Sequence, residues 1–167
     1  LIDGLRYSNF KSEVAKKQGH KRANLYHQVW DVLHQLQTAP GFVETEPVAD
    51  SYGGVVISGG GKVLLREPAN RHGGYAWTFA KTAVQPGESP RDAAVRAVRD
   101  KTGYAAEIRL SVPGTFKGSI SSACYYLMDA KHPPAKPNWQ TTGLRWVDHE
   151  EARELIRQSS NPEGRDR

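Results

Sequence analysis

Apolar residues near the start of the chain recur with the spacing of an α-helix. Five of them fall on one stripe and are followed by two helix-ending residues: Leu25, Val29, Val32, Leu33 and Leu36, then Pro40 and Gly41. The pattern predicts a helix over residues 25–36 that packs against another surface. We therefore assign residues 1–42 to an N-terminal helical extension.

From residue 43 onward the pattern changes to short β-prone runs divided by glycine turns. Residues 53–58 and 62–65, on either side of three glycines, predict a β-hairpin. The remaining predicted ranges are 75–80, 106–110, 123–128 and 144–147 for strands, and 90–102 and 149–158 for helices. Together they predict one mixed α/β domain over residues 43–158, followed by a frayed polar tail over residues 159–167.

The predicted helix over residues 90–102 carries local signals at both of its ends. Ser89 is a typical N-cap, and Pro90 suits the first helical position because it lacks the N–H group that would stay unpaired there. Gly103 follows the last turn, where a left-handed backbone conformation commonly ends a helix. The bounds of this helix can therefore be predicted from its own residues.

The charge of the chain favours a negatively charged partner. The sequence has 23 Lys and Arg against 18 Asp and Glu, which gives a net charge of +5. Residues 1–40 hold six of the basic residues and three of the acidic ones, so the N-terminal extension is itself basic. Nucleotides, polyphosphates and RNA are candidate partners. The extension is also a candidate surface for a homodimer or a partner protein.

Cysteine content and hydropathy exclude several classes of protein. Cys124 is the single cysteine, so neither an intrachain disulfide nor a thiolate metal cluster can form. No apolar run approaches the roughly 18 residues that a membrane helix requires. Residues 1–10 lack the pattern of a secretory signal. We expect a cytoplasmic protein with no membrane partner.

The central segment over residues 82–104 consists of a loop, a capped helix and a glycine stop. It resembles the Nudix box, a loop-helix-loop motif written G-x5-E-x7-R-E-U-x-E-E-x-G-U, in which U is apolar. Glu88, Arg96, Val98 and Gly103 fall in register with that motif. Flanking segments agree with the family pattern, and the resemblance covers about residues 50–158. It implies an α/β Nudix fold, a mixed β-sheet sandwiched between α-helices, here with an added N-terminal helix.

The resemblance also implies a chemistry, which this sequence supports only in part. Nudix enzymes hydrolyse phosphoanhydrides with Mg²⁺ or Mn²⁺ ions, which are held chiefly by three Glu on one face of the box helix. Here those positions carry Ala97, Asp100 and Lys101, and the opening Gly of the motif is replaced by Thr82. Residues 88–104 contain four basic and three acidic side chains, whereas a divalent cation requires negative ligands.

Candidate site residues follow from this comparison. The resemblance implies that Glu88 and Arg96 brace the loop against the helix. With Asp100 they are the candidate catalytic residues, and Glu88 and Asp100 are the candidate metal ligands. The candidate substrate-binding residues are Arg66, Lys81, Lys101 and Tyr126.

We therefore predict a Nudix-fold protein that binds a nucleotide or another phosphoanhydride, with weak or absent metal-dependent pyrophosphohydrolase activity. Two alternatives stay open. One is an active, divergent hydrolase of nucleoside diphosphate derivatives, dinucleoside polyphosphates or diphosphoinositol phosphates, with Mg²⁺ or Mn²⁺ as its cofactor. The other is a non-catalytic module that binds RNA or a protein partner.

Overall fold

The computed structural model describes residues 48–118, 121–131 and 134–162. The predicted N-terminal helix, the basic extension over residues 1–42 and the last five residues of the predicted tail lie outside this described part.

The described residues form a seven-stranded mixed sheet and two α-helices. The strands are β1 (Ser51–Ile57), β2 (Val63–Pro68), β3 (Ala80–Thr82), β4 (Ala106–Ser111), β5 (Phe116–Lys117), β6 (Ser122–Ala130) and β7 (Thr141–Val147). The helices are α1 (Pro90–Thr102) and α2 (His149–Arg157). Neither helix is long and apolar enough to cross a membrane, and the described residues contain no other candidate span.

Strand β1 lies at the centre of the sheet and makes its one parallel pairing. The strand order is β4-β6-β1-β2-β7, and β1 runs parallel to β6 from Ser51 to Ile57. The other pairings are antiparallel, and β3 pairs with the first half of β1. After Ile57 the predicted glycine hairpin connects β1 to β2, and Val63 of β2 lies opposite Ile57.

The two helices cover opposite faces of the sheet. Helix α1 buries Ala93 and Val98 in a core shared with β1 and β6, and Leu64 of β2 belongs to the same core. The next residue, Leu65, packs with α2 in a second core. Because neighbouring residues of a strand point to opposite faces, the two cores lie on opposite sides of the sheet. The predicted sandwich of a mixed sheet between helices is confirmed.

Close packing of α1 on the sheet depends on a glycine in β1. A Cβ atom added to Gly54 would lie 2.5 Å from Cγ2 of Val98 and 2.7 Å from Sδ of Met128. A larger residue would therefore push the helix away from the sheet. The missing side chain fixes the position of α1, on which the altered box residues lie.

The predicted ends of α1 are confirmed. Oγ of Ser89 accepts a hydrogen bond from the backbone N–H of Asp92, and Pro90 opens the first turn. Gly103 has φ +76°, and its N–H donates to the carbonyl oxygen of Arg99 at 2.8 Å. These contacts satisfy backbone groups that a helix leaves without intrahelical partners.

The predicted strand over residues 75–80 is wrong in its position. Residues 69–74 form a kinked segment of 3-10 turns, with left-handed backbone at Asn70 and Gly73 among others. After this segment only Thr78 pairs, through an isolated antiparallel bridge to Arg66, before β3 begins at Ala80. Because the bent 69–74 segment comes just before these residues, regular strand pairing begins only at Ala80. The two-residue strand β5 was not predicted.

Residues after α2 also differ from the expected frayed tail. Ser159 and Asn161 are buried. Oγ of Ser159 accepts a hydrogen bond from the N–H of Ala76, and Nδ2 of Asn161 donates to the oxygen of Gly73 at 3.1 Å. Polar side chains here satisfy backbone groups of the bent 69–74 segment and its sequel, so polar composition does not indicate exposure.

Substitution of Gly103 by Ala is expected to destabilise the domain strongly. An alanine here would have to adopt a left-handed backbone conformation, which is unfavourable for a residue with a Cβ atom. That Cβ would also lie 1.9 Å from the carbonyl oxygen of Ala135. We expect a loss of at least about 2 kcal/mol in the free energy of unfolding, measured by urea denaturation.

Gly87→Ala is the matched control for this prediction. Gly87 has φ +78°, and no atom lies within 4 Å of its added Cβ. Backbone strain alone should cost about 1 kcal/mol. Equal losses in the two variants would contradict the role assigned to the contact with Ala135.

Candidate functional site

A cavity of about 560 Å³ opens beside the bent segment over residues 69–74. Strand β2, strand β3, the last turn of α1 and the residues before β7 also contribute to its walls. Its lining includes one arginine and two lysines, namely Arg66, Lys81 and Lys101, together with His72, whereas Asp50 is the single acidic lining residue among the described residues. We call this cavity the basic cleft.

Arg66 is the most deeply buried charge of the basic cleft, with only 6% of the residue exposed. Its backbone pairs with Thr78, and Nη2 donates to the carbonyl oxygen of Gln140. Nε has no hydrogen-bond partner, and no described carboxylate forms an ion pair with this side chain. Burial lowers the pKa of Arg66 to about 10. The guanidinium is still charged at neutral pH.

Lys101 lies in the last turn of α1 and is partly buried against the same cleft. Burial is the main cause that lowers the pKa of its ammonium group to about 8, and the nearby charge of Arg66 lowers it further. Asp100 acts in the opposite direction. The two cations destabilise each other, so an anion between them would be stabilised by both.

Lys81 and Asp50 also line the cleft. Lys81 belongs to β3, opposite Gly53 of β1. The carboxylate of Asp50 accepts hydrogen bonds from the N–H and the hydroxyl of Ser122, at 2.7 and 2.6 Å, and these bonds lower its pKa. The acidic side chain of the cleft is therefore already engaged by protein donors.

Glu88 and Arg96 form a two-pronged ion pair outside the residues that line the cleft. Oε1 of Glu88 lies 2.7 Å from Nε of Arg96, and Oε2 lies 2.7 Å from Nη2. Oε2 also accepts from the N–H of Gln85, and Nη2 donates to the oxygen of Ala83. Both residues thus tie the loop before α1 to the helix, in the arrangement that the resemblance implied.

The three altered positions of the box helix lie in different surroundings. Ala97 is buried, with 1% of its surface exposed. Asp100 does not line the basic cleft, and its Oδ1 lies 3.2 Å from Nε of Arg99. Lys101 lines the cleft. The structure brings Arg66, Lys81 and Lys101 together in the cleft, whereas Asp100 acts on Lys101 through its charge without lining the cleft.

Tyr126 does not lie where a substrate-binding residue is required. It is 1% exposed, belongs to the core under α1, and packs beneath the guanidinium of Arg91 at 5.3 Å from the ring centroid. Because other parts of the domain cover both faces of β6, its side chains are buried on either face. The neighbouring Tyr125 contacts the rings of Phe79 and Phe116.

Thr78 and Trp139 are two of the lining residues that sequence reasoning did not single out. Thr78 is buried, and its hydroxyl has no hydrogen-bond partner. It lies in the region predicted as a regular strand, whereas Trp139 lies in a segment without hydropathy periodicity. The unusual exposure of Trp139 is a property of the folded chain, so no local signal could have found it.

The family model described as NUDIX domain matches residues 48–164. The chain belongs to the Nudix family. Structures of similar fold include a C. elegans Ap4A hydrolase binary complex, at 22% identity and TM-score 0.53, over 63% of this chain and 84% of that chain. A Nudix hydrolase from Nitrosomonas europaea has 18% identity and TM-score 0.54, over 67% and 80%. A UDP-X diphosphatase has 14% identity and TM-score 0.54, over 98% and 76%.

Nudix hydrolases generally use divalent metals such as Mg²⁺ or Mn²⁺, so the box helix can be tested for its fit to such an ion. These ions require several oxygen ligands. Both carboxylate oxygens of Glu88 are engaged by Arg96, Ala97 offers no oxygen from its side chain, and Lys101 brings an ammonium group. The described residues contain no group of three or more His, Cys, Asp and Glu that could hold a metal ion. Of the three altered positions only Asp100 keeps a carboxylate, so these positions do not supply the several oxygen ligands that a divalent cation requires.

The Glu88–Arg96 pair should stabilise the fold in a pH-dependent way. Glu88 accepts hydrogen bonds from Arg96 and from the backbone of Gln85. The bonds from Arg96 are the main cause that lowers the pKa of Glu88 from 4.5 to about 2, and the bond from Gln85 is the second cause. Because the folded-state pKa is lowered, the stabilisation is present above about pH 4.5 and is lost as the pH falls through about 2. Glu88→Gln should therefore lower Tm near neutral pH, and the difference from the unsubstituted protein should shrink toward pH 2.

Glu154→Gln is the control, since Glu154 is an exposed carboxylate on α2. Differential scanning calorimetry across this pH range should show little change in Tm for that variant. A difference for Glu88→Gln that stays constant from pH 7 to pH 2.5 would contradict the assigned ion pair.

Proposed function

We propose that this protein binds a nucleotide or a related phosphoanhydride in the basic cleft without requiring a divalent cation, and that its hydrolytic activity is weak or absent. One observation carries the proposal. Arg66 is buried and Lys101 is partly buried beside it, and neither forms an ion pair with a described carboxylate.

Burial of a positive charge is unfavourable unless an anion or several hydrogen bonds compensate for it. For Arg66 the described residues supply one side-chain hydrogen bond, to Gln140, and the buried Nε has no partner. A phosphate group supplies both negative charge and several acceptor oxygens. Lys81 also lines the cleft, which supports the binding of a second phosphate of the same ligand.

Weak or absent hydrolysis follows from the altered box helix. A hydrolase of this family depends on metal ions that neutralise the phosphates and prepare the attacking water. Here the cations of Lys101 and Arg66 supply neutralisation, but an ammonium group does not lower the pKa of a bound water as a metal does. Two relatives of similar fold are named for Ap4A and UDP-X, which supports nucleotides as the ligand class. The RNA-binding alternative stays a prediction.

Nucleotide binding should be measurable in the presence of EDTA. ATP without metal should raise Tm and should bind in isothermal titration calorimetry. Lys101→Gln should weaken this binding about tenfold, because one charged hydrogen bond is worth roughly 1.5–3 kcal/mol. Lys62→Gln is the matched control, since Lys62 is an exposed lysine away from the cleft and its loss changes the net charge equally.

Two results would overturn the proposal. One is a binding of ATP that appears only with Mg²⁺ or Mn²⁺. The other is a metal-dependent release of phosphate or nucleoside monophosphate at a rate typical of enzymes, about 1 s⁻¹ or more, from ATP, Ap4A or a nucleotide sugar. The second result would favour the active, divergent hydrolase.

Binding should also depend on pH through Lys101. Its ammonium is charged below a pKa of about 8 and neutral above it, so the affinity for ATP should fall between pH 7 and pH 9. The last pKa of a phosphate group is about 6, so the charge of the phosphates changes little in this range. Titrations of Lys101→Gln should show a flat profile over the same range. An equal decline in both proteins would assign the effect to another group.

A further inference from the structure

Trp139 is exposed to an unusual degree for a large apolar residue, with 82% of its surface accessible. The described residues contain two other exposed large apolar side chains, Val48 and Val84, and neither lines the basic cleft. Trp139 does line it. An exposed aromatic ring at the mouth of a charged cavity is a frequent feature of ligand sites, because it offers a flat apolar surface beside polar anchors.

The backbone around Trp139 is fixed to the end of α1. The N–H of Ala135 donates to the oxygen of Gly103 and that of Asn138 donates to the oxygen of Asp100, both at 2.8 Å. After the tryptophan, Oγ1 of Thr141 donates to the oxygen of Lys101 at 2.7 Å. The indole is therefore carried by a segment that is bonded on both sides of it, so little ordering would be needed for a ligand to use it.

This segment also connects the indole to both cations of the basic cleft. Gln140, the next residue, accepts the hydrogen bond from Nη2 of Arg66. Thr141 is bonded to the backbone of Lys101. Trp139 and the two cations thus line the same cleft, and a ligand that uses both features carries a planar ring and phosphates in one molecule.

We propose that Trp139 stacks on the base of a nucleotide whose phosphates bind at Arg66 and Lys101. This inference rests on the proposed function and narrows its ligand class to nucleoside-bearing phosphates. Inositol phosphates and inorganic polyphosphates carry no aromatic ring and gain nothing from the indole. The four bases all have an aromatic face, so stacking favours nucleotides as a class without selecting one base.

The test compares ATP with inorganic tripolyphosphate, both in EDTA, by isothermal titration calorimetry. Stacking of one base on an aromatic side chain should increase affinity about tenfold. We expect Trp139→Ala to weaken ATP binding by that factor and to leave tripolyphosphate binding unchanged. Trp139→Phe should retain most of the affinity for ATP, because phenylalanine keeps an aromatic face. Val84→Ala, an exposed apolar residue outside the cleft, is the control.

Intrinsic fluorescence gives a second reading. The chain has four tryptophans, and ATP should quench part of the emission whereas tripolyphosphate should not. Trp139→Phe should remove this ligand-dependent change. Because Trp139 is exposed, its substitution should leave Tm close to that of the unsubstituted protein.

The outcomes separate this inference from the proposed function. If ATP and tripolyphosphate bind the unsubstituted protein equally, or if Trp139→Ala changes both affinities by the same factor or neither, the stacking role is wrong and phosphate binding in the cleft stands. If neither compound binds, the proposed function fails and the stacking role fails with it.

Discussion

The charge of Arg66, held inside the domain without a carboxylate partner, is the constraint on which the rest of the cleft depends. Burial of a guanidinium is unfavourable, and the folded chain offers its side chain one hydrogen bond, to the carbonyl oxygen of Gln140. The acidic side chain that lines the cleft, that of Asp50, already accepts hydrogen bonds from Ser122. The second cation, Lys101, raises the cost further, as its lowered pKa indicates. Folding therefore leaves an unsatisfied demand for negative charge, which a phosphate ligand would meet.

The fold maintains this unfavourable arrangement by fixing the elements that carry it. Gly54 allows α1 to pack closely on β1, which sets the height of Lys101 above the sheet. Pairing of β2 with β7 holds Arg66 opposite Leu144, close to the residues before β7. The contact of Gly103 with Ala135 then joins that segment to the end of α1. These contacts hold in place the backbone segments that carry both cations.

The sequence allowed prediction of the parts of the domain that local chemistry decides. Ser89, Pro90 and Gly103 define α1 because caps act within one turn, and Glu88 pairs with Arg96 at the spacing that the family motif sets. The burial of individual side chains could not be predicted from the local sequence in the same way. Tyr126 lies in the core because β6 is central, and Ser159 is buried because the distant Ala76 needs an acceptor. Contacts between residues far apart in the chain decided these cases, and no periodicity reports such contacts.

On the proposed function, Lys101 at a position where the family motif has a Glu changes what the site can do, and not only how strongly it binds. A divalent ion and an ammonium group both attract phosphate, and on this count the basic cleft is a reasonable substitute. A metal also binds water and lowers its pKa, which creates a nucleophile, whereas a lysine has no open coordination position. Binding and hydrolysis are thus separable at this helix, because they require different properties of the same cation. On the proposed function, this chain retains the first property and has given up the second, and the indole of Trp139 then serves recognition instead of catalysis.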